Sequence, residues 1–256
     1  AATTRKAIGG KSIYNGDRAD PGQVNYTKLV MSVPPAHEPG KLTMPEGDKP
    51  NPKTQFVTVS ADQQSNDEFL GSVRASLATR PEADRTVFVF IHGYNTTFDE
   101  AAYRFAQVAN DAEMPGVGVL FSWASMGSVP AYVYDRDSVQ AARDPLERTL
   151  RDLATKTGAK KVNVFAHSMG NWLLVETLRQ AAINGDPTFS GRLNEIMMAA
   201  PDVDSDVFRT TLQRLGGRMP AETTLFISKD DRALAVSNRL AGGRPRVGEI
   251  SHEDYI

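Results

Sequence analysis

The sequence predicts an α/β fold: a mostly parallel, doubly wound sheet with antiparallel strands added from its N-terminal part. Three observations lead there. Continuous apolar runs recur from about Thr86 onward, helical patterns with readable ends lie between them, and the first 80 residues keep neither rhythm. Strands alternating with helices are the pattern of βαβ units, whose sheet carries helices on its faces.

From the N-terminus, "SIYNG" (12–16) and "QVNYTKLVMSV" (23–33) read as strands and are expected at the antiparallel edge of the sheet. Residues 33–52 hold six prolines and no apolar period, which predicts a surface loop. "TQFVTVS" (54–60) reads as another strand and "NDEFLGSVRASLA" (66–78) as a helix. The runs "TVFVFIH" (86–92), "VGVLFSW" (117–123), "KVNVFAH" (161–167), "EIMMAAP" (195–201) and "TTLFISK" (223–229) are continuous rather than alternating, as for parallel strands covered on both faces. Thr97-Phe98-Asp99-Glu100 is a capping box that opens a helix with Phe98, Ala101, Ala102, Phe105 and Ala109 on one side. Asp144-Pro145-Leu146-Glu147 places an N-cap and an N1 proline in order, predicting a helix that begins there and ends at Gly158. Asn171–Ile183 and Ser205–Leu215 supply two further helices. No repeat and no linker divides the chain. A single domain over 1–256 is expected, with 1–80 as edge strands and proline-rich loop and 81–256 as the core.

Composition narrows the function. With 40% hydrophobic and 23% charged residues, the chain can build a sizeable core. A net charge of −2 with scattered basic residues argues against nucleic acid as a partner. No run approaches the roughly 18 apolar residues of a transmembrane helix. Cysteine is absent, which excludes disulfides, thiolate nucleophiles and Cys-ligated zinc. No His-x-x-x-His pair occurs, and "PDVDSD" lacks the glycine and terminal glutamate of a calcium-binding loop, so no metal and no cofactor is expected. The first residue is Ala1. Removal of a signal peptide, giving a periplasmic or secreted protein, fits this start, and so does a chosen boundary in a cytoplasmic one.

Chemistry concentrates at "VFAHSMGN" (164–171). A strand runs into Ser168 and a helix starts at once behind it. In a turn that sharp, strand and helix backbones nearly touch, so the positions two before and two after the serine must be small. Ala166 and Gly170 meet that demand. Such a turn lifts the hydroxyl above the sheet and offers the Met169 N–H to a developing oxyanion. The plainer alternative is a serine that simply N-caps the helix.

Ala166-His167-Ser168-Met169-Gly170 resembles the nucleophile elbow of the α/β-hydrolase superfamily. The runs "HGYNTTFDEAAYRFAQ", "FSWASMGS", "YVYDRDS", "AHSMGNWLL", "AAPDVDSDVF" and "DDRALAVS" are similar, more closely, to a bacterial family of esterase/lipase-like α/β-hydrolases of unknown function, over most of residues 54 to 248. Ala124 departs from the proline expected after Trp123. The resemblance implies an α/β-hydrolase fold without a large cap domain, and a serine carboxylic-ester hydrolase that needs no cofactor and takes a small-molecule ester. It also implies that Tyr94, after the buried strand end His92-Gly93, supplies the second oxyanion N–H, with His92 holding the loop.

The superfamily's chain order is serine, acid, histidine. It places the acid at Asp231, after "LFIS", with Asp202 after the preceding strand as the alternative. His252 is then the one histidine downstream, because His37 and His92 precede Ser168 and His167 adjoins it. Two readings of the base stay open, His252 or a histidine beyond the 256 residues. Trp123, Tyr132 and Tyr134, with Met126, leave a strand end near the serine and are expected to line a substrate pocket, unless they pack on neighbouring helices. An amide or thioester hydrolase with the same machinery is one alternative function, and a silent scaffold used for binding is another.

Overall fold

The computed structural model describes residues 1–9, 13–47, 50–227 and 246–249. The strands are β1 (Ala2–Thr3), β2 (Arg5–Ala7), β3 (Tyr14–Arg18), β4 (Asn25–Ser32), β5 (Val57–Gln64), β6 (Thr86–Ile91), β7 (Val117–Ser122), β8 (Lys161–His167), β9 (Leu193–Ala199) and β10 (Glu222–Phe226). The helices are α1 (Asn66–Ala78), α2 (Phe98–Asp111), α3 (Tyr132–Lys156), α4 (Met169–Ile183) and α5 (Ser205–Arg214). Eight strands form one sheet in the order β10-β9-β8-β6-β7-β1-β4-β5. The pairs from β10 to β1 are parallel, and β4 and β5 are antiparallel. This is the α/β-hydrolase architecture, mostly parallel with antiparallel strands at one edge.

Two N-terminal pieces sit elsewhere than the sequence predicts. "SIYNG" is not an edge strand of the main sheet; β3 pairs with β2 in a separate two-stranded sheet. The join between the parallel and antiparallel halves is instead β1, whose two residues pair Ala2 with both Phe121 and Tyr26. So short a strand has no apolar period to announce it.

The apolar alternation of the helices decides how they are sorted. Phe98, Ala101 and Ala102 of α2 pack with Phe90, Leu120 and Tyr14 on one face. The stripes of α1, α3 and α4, including Leu77, Leu146, Leu150, Leu153, Leu173 and Leu178, fill the other face against Val89, Val119, Val162 and Val164. Each fully buried side chain of this kind stabilises by about 1.5–3 kcal/mol. β6 is buried at every position, as a strand covered on both faces. In β8 burial alternates instead, with Val162, Val164 and Ala166 inside and Asn163, Phe165 and His167 half-buried. Among the described residues, cover on both faces belongs to the centre of the sheet and not to β8.

Helix α3 corrects the start predicted at Asp144. Pro145 lies in its interior, although an interior proline removes one backbone hydrogen bond and costs about 3 kcal/mol. The apolar stripe explains the outcome. Val139 and Ala142, upstream of the proline, are as fully buried as Leu146 and Leu150 downstream, so one continuous helix seals more core than two. The end matches expectation: Gly158 takes φ 79°, left-handed, just after the cap at Thr157.

The chain runs from β6 to β7 on one side of the sheet and from β7 back to β8 on the other. β6 and β8 are neighbours, and the crevice beyond their carboxyl ends is the topological switch point where open α/β sheets place their ligands.

Candidate active site

Ser168 occupies that point. It follows His167, the last residue of β8, and precedes Met169, the first of α4, with nothing in between. Its backbone adopts φ 50°, ψ −124°, a left-handed conformation unfavourable to any side chain. Helix-capping residues elsewhere in the chain are extended, Ser65 at φ −70° and Thr97 at φ −72°, and their hydroxyls accept the N–H three residues on. The Ser168 hydroxyl makes no such bond. The capping alternative therefore fails, and the half-buried hydroxyl stands clear of the helix it precedes.

The surroundings hold this turn from several sides. Ser168 N–H donates to Ala199 O of β9 at 2.9 Å. The buried Asn171 amide donates to Ser168 O at 3.1 Å and to Ala199 O at 2.9 Å. Asp202 N–H donates to Ser168 O at 3.3 Å. Gly170 needs its missing side chain, because a Cβ there would lie 2.5 Å from His92 O and 2.8 Å from Ile91 O. Ala166 is fully buried.

The loop after β6 presses against the elbow. A Cβ on Gly93 would come within 2.9 Å of Ser168 Cβ and of His167 Nδ1. Next in the chain come Tyr94 and then Asn95, whose φ of 53° turns the loop toward α2. Neither the Tyr94 nor the Met169 N–H is used in a backbone pairing among the described residues. The half-buried Ser168 and the loop after β6 thus press on one another beyond the carboxyl ends of β8 and β6.

His92 is fully buried and sits behind this loop. Its Nδ1 lies 2.8 Å from Gly93 O, and its Nε2 lies 3.1 Å from Ser122 Oγ and 3.2 Å from Trp123 O. Burial, and then the neighbouring Arg5 charge, push its pKa down to about 3, so the ring is neutral. It is a loop-holding residue with no opening toward Ser168.

The aromatic residues separate. Trp123 is corrected: it is fully buried, stacked on His92 with ring centroids 5.1 Å apart, and its Nε1–H donates to His92 O at 2.8 Å. It supports the loop from within and lines no opening. Tyr134 is half-buried and turned to the N-terminal hairpin. Its hydroxyl donates to Gly16 O at 3.2 Å and accepts Arg18 N–H at 3.1 Å, with the Arg18 guanidinium 4.6 Å above its ring. The β2–β3 hairpin, distant in sequence, has claimed it. Tyr132 alone stays at the site, edge-on to Tyr94 with centroids 5.4 Å apart.

Tyr132 lines a cavity of about 210 Å³ beside the elbow, together with Arg136, Trp172, Asp202, Val207 and Arg246. A larger cavity of about 350 Å³ lies between α1 and α2, against β7; neither cavity is lined by a residue of the turn 166–170 itself. Size does not mark the site here; the strained serine does. Asp202 is buried and pairs with Arg246, Oδ1 to Nε at 3.4 Å. Asp231 and His252 lie outside the described residues. Among those described, no group of three His, Asp or Glu residues could hold a metal ion, and no helix is long and apolar enough to cross a membrane.

Sequence reasoning missed Arg5. This fully buried arginine donates from Nε to Ser122 Oγ at 2.9 Å, from Nη1 to Ser125 O at 2.6 Å and from Nη2 to Thr96 O at 2.6 Å. No motif surrounds it, and an arginine opening a short strand reads as surface.

Fold and elbow together define an α/β hydrolase. Residues 68–255 match the family described as "Alpha/beta hydrolase of unknown function (DUF900)", and the chain belongs to that family. No curated protein matches it. Among solved structures it is similar to esterase B from Lactobacillus rhamnosis, in a crystal structure with a C4-C4 SN3 tributyrin phosphonate, at 17% identity and a TM-score of 0.32 over 65% of this chain and 54% of that one. The chain thus spans about half the length of that esterase.

Proposed function

We propose that this chain is a serine hydrolase that cleaves carboxylic esters through an acyl-enzyme. The observation that carries the proposal is Ser168 itself, held at φ 50° with its hydroxyl unspent on capping and pressed against Gly93. Strain of this kind, on the order of 1–3 kcal/mol, persists where the surroundings over-determine it, and such residues cluster at active sites.

In this reading Ser168 Oγ attacks the ester carbonyl while His252 takes its proton. The Met169 and Tyr94 amides receive the oxyanion, and collapse of the tetrahedral intermediate expels the alcohol, which takes the proton back from the imidazole. Water, activated by the same imidazole, then releases the acid and frees Ser168. Asp231 holds the imidazole in its reactive tautomer. Two features support these assignments. The buried Asp202 carboxylate lies beside Arg246, 3.4 Å from Oδ1 to Nε, which favours Asp231 over Asp202 as the acid. Val247 N–H donates to Val203 O at 2.9 Å and Gly248 N–H to Pro201 O at 3.0 Å, so the chain just ahead of His252 is tied to the loop beside the elbow. The small cavity at Tyr132 suits a short acyl or alcohol group.

The test is turnover of p-nitrophenyl butyrate, with matching amide and thioester substrates, and labelling by a fluorophosphonate probe. Labelling at Ser168 with ester turnover is expected. Turnover confined to amides or thioesters would move the substrate class, and absence of labelling would leave a binding scaffold. Asp231→Asn should cost far more turnover than Asp202→Asn, because an amide cannot orient the imidazole or balance its charge. His252→Ala should be nearly as severe as loss of the serine, since triad members act as a unit. A silent His252→Ala would put the base elsewhere.

A further inference from the structure

We propose that Arg5 is a positioning residue for the oxyanion loop: its buried guanidinium clamps the two loops behind Ser168 and so fixes the Tyr94 amide. The kinetic consequence rests on the serine-hydrolase reading; the geometric claim does not.

A fully buried arginine ordinarily faces a carboxylate, because an uncompensated buried charge is costly. Among the described residues, Arg5 contacts none. Its acceptors are neutral and come from separate segments: Thr96 O in the loop after β6, Ser122 Oγ and Ser125 O at and after the end of β7, and Asn15 O at 3.3 Å in the hairpin. Nη2 also lies 3.5 Å from His92 Nε2. A guanidinium is planar and its donors form a rigid fork, so one side chain sets the distance between the Thr96 and Ser125 carbonyls.

The same two loops are tied a second time, through their donors, by the buried Asp135 at the start of α3. Ser125 Oγ–H donates to Asp135 Oδ2 at 2.6 Å, Met126 N–H donates to Oδ1 at 2.8 Å, and Thr96 N–H donates to Ser125 Oγ at 3.1 Å. Arg5 therefore holds carbonyls and Asp135 holds N–H and O–H groups of one loop pair, with Ser125 shared between them. The charges offset each other through that shared residue: the Asp135 charge favours the guanidinium, whose pKa burial lowers only to about 10. Arg5 stays protonated at neutral pH.

Tyr94 stands two residues from Thr96 and is joined to it, Thr96 Oγ1–H donating to Tyr94 O at 3.1 Å. Fixing Thr96 thus holds the Tyr94–Asn95 peptide, which adjoins the Gly93–Tyr94 peptide that carries the candidate oxyanion donor. Such a donor works because it is oriented before the reaction begins. Loosening it lowers kcat and leaves KM nearly alone. Lysine cannot substitute, since a compact ammonium on a flexible stem cannot span both carbonyls.

The test compares the 256-residue chain with Arg5→Met, Arg5→Lys and Asp135→Asn. The readouts are kcat and KM for p-nitrophenyl butyrate per folded molecule, the thermal midpoint, and the Tyr94 amide signal in ¹⁵N-tyrosine protein. Arg5→Met should lower kcat by about 10²-fold with KM within about twofold, and should shift or broaden the Tyr94 signal. Arg5→Lys should recover little of this, and Asp135→Asn should show a smaller loss of the same kind. An unchanged kcat with an unmoved Tyr94 signal in folded Arg5→Met would overturn the proposal and leave Arg5 a stabilising residue only. If Arg5→Met does not fold, Arg5→Lys decides by the same two readouts, because it keeps the charge and most of the length. If the unaltered chain turns over no ester, the ester-hydrolase reading fails for this chain and the Tyr94 signal alone judges the clamp.

Discussion

Two strand-to-helix junctions meet at the candidate site and use a hydroxyl residue in opposite ways. After β6, six residues separate Ile91 from α2, and the last of them, Thr97, is extended at φ −72°, ψ 169°. Its Oγ1 accepts Glu100 N–H at 3.3 Å, and the Glu100 carboxylate accepts Thr97 N–H at 2.8 Å. After β8 one residue turns the chain, at φ 50°, ψ −124°, and its hydroxyl bonds nothing in the helix. The first junction satisfies its own orphan donors. The second spends no hydroxyl on its helix. A serine or threonine before a helix does not by itself say which case holds; the length of chain between strand end and helix start does.

The largest test of this contrast is Ser168→Ala. Ester turnover should fall by a factor on the order of 10³ or more while the thermal midpoint stays put, because the hydroxyl holds no structural bond. Retained turnover would erase the distinction. Ser168→Gly sharpens it: turnover should be lost equally, with the midpoint held or raised, since glycine accepts a positive φ without strain.

Gly93→Ala should come next, with kcat lowered by about 10²-fold and KM little changed. A Cβ 2.9 Å from Ser168 Cβ must push the loop off the elbow and carry the Tyr94 amide with it. Full activity in Gly93→Ala would mean that the two junctions need not touch.

pH probes the buried support of the first junction. The His92 pKa is lowered to about 3 in the folded chain, against 6.5 when unperturbed. Between those values the unfolded chain binds a proton that the folded chain refuses. Stability is therefore complete above pH 6.5 and falls as pH drops toward 3, by at most about 1.4 kcal/mol per unit. Urea unfolding of His92→Gln across that range should show a weaker slope than the unaltered chain, and an identical slope would refute the neutral buried ring.

The smallest effect should be Thr97→Ala, which loses about 1 kcal/mol of stability with the cap and leaves turnover per folded molecule within a few-fold. A collapse of turnover here, as large as at Ser168, would mean that both junctions are chemical.

Much of this was legible beforehand for a local reason. Apolar runs, a capping box and small residues around a serine act over a few positions, so α2 begins at Phe98 where its cap predicts, α1 covers the helical run 66–78, and Ala166 and Gly170 announce the elbow. Pro145 shows the limit: a well-formed local start signal lost to an apolar stripe that continues upstream.

The sequence by itself determined the α/β class, the parallel strands and the turn that lifts Ser168. Tertiary structure alone decided that Ala2 and Thr3 bridge the two halves of the sheet, that Trp123 lies behind the loop after β6, and that Tyr134 of α3 bonds the β2–β3 hairpin. It alone decided that Arg5, 117 positions before Ser122, is the buried clamp. Such contacts join segments with no shared period, and only the closed sheet brings their polar groups within bonding distance, where burial obliges each to find a partner.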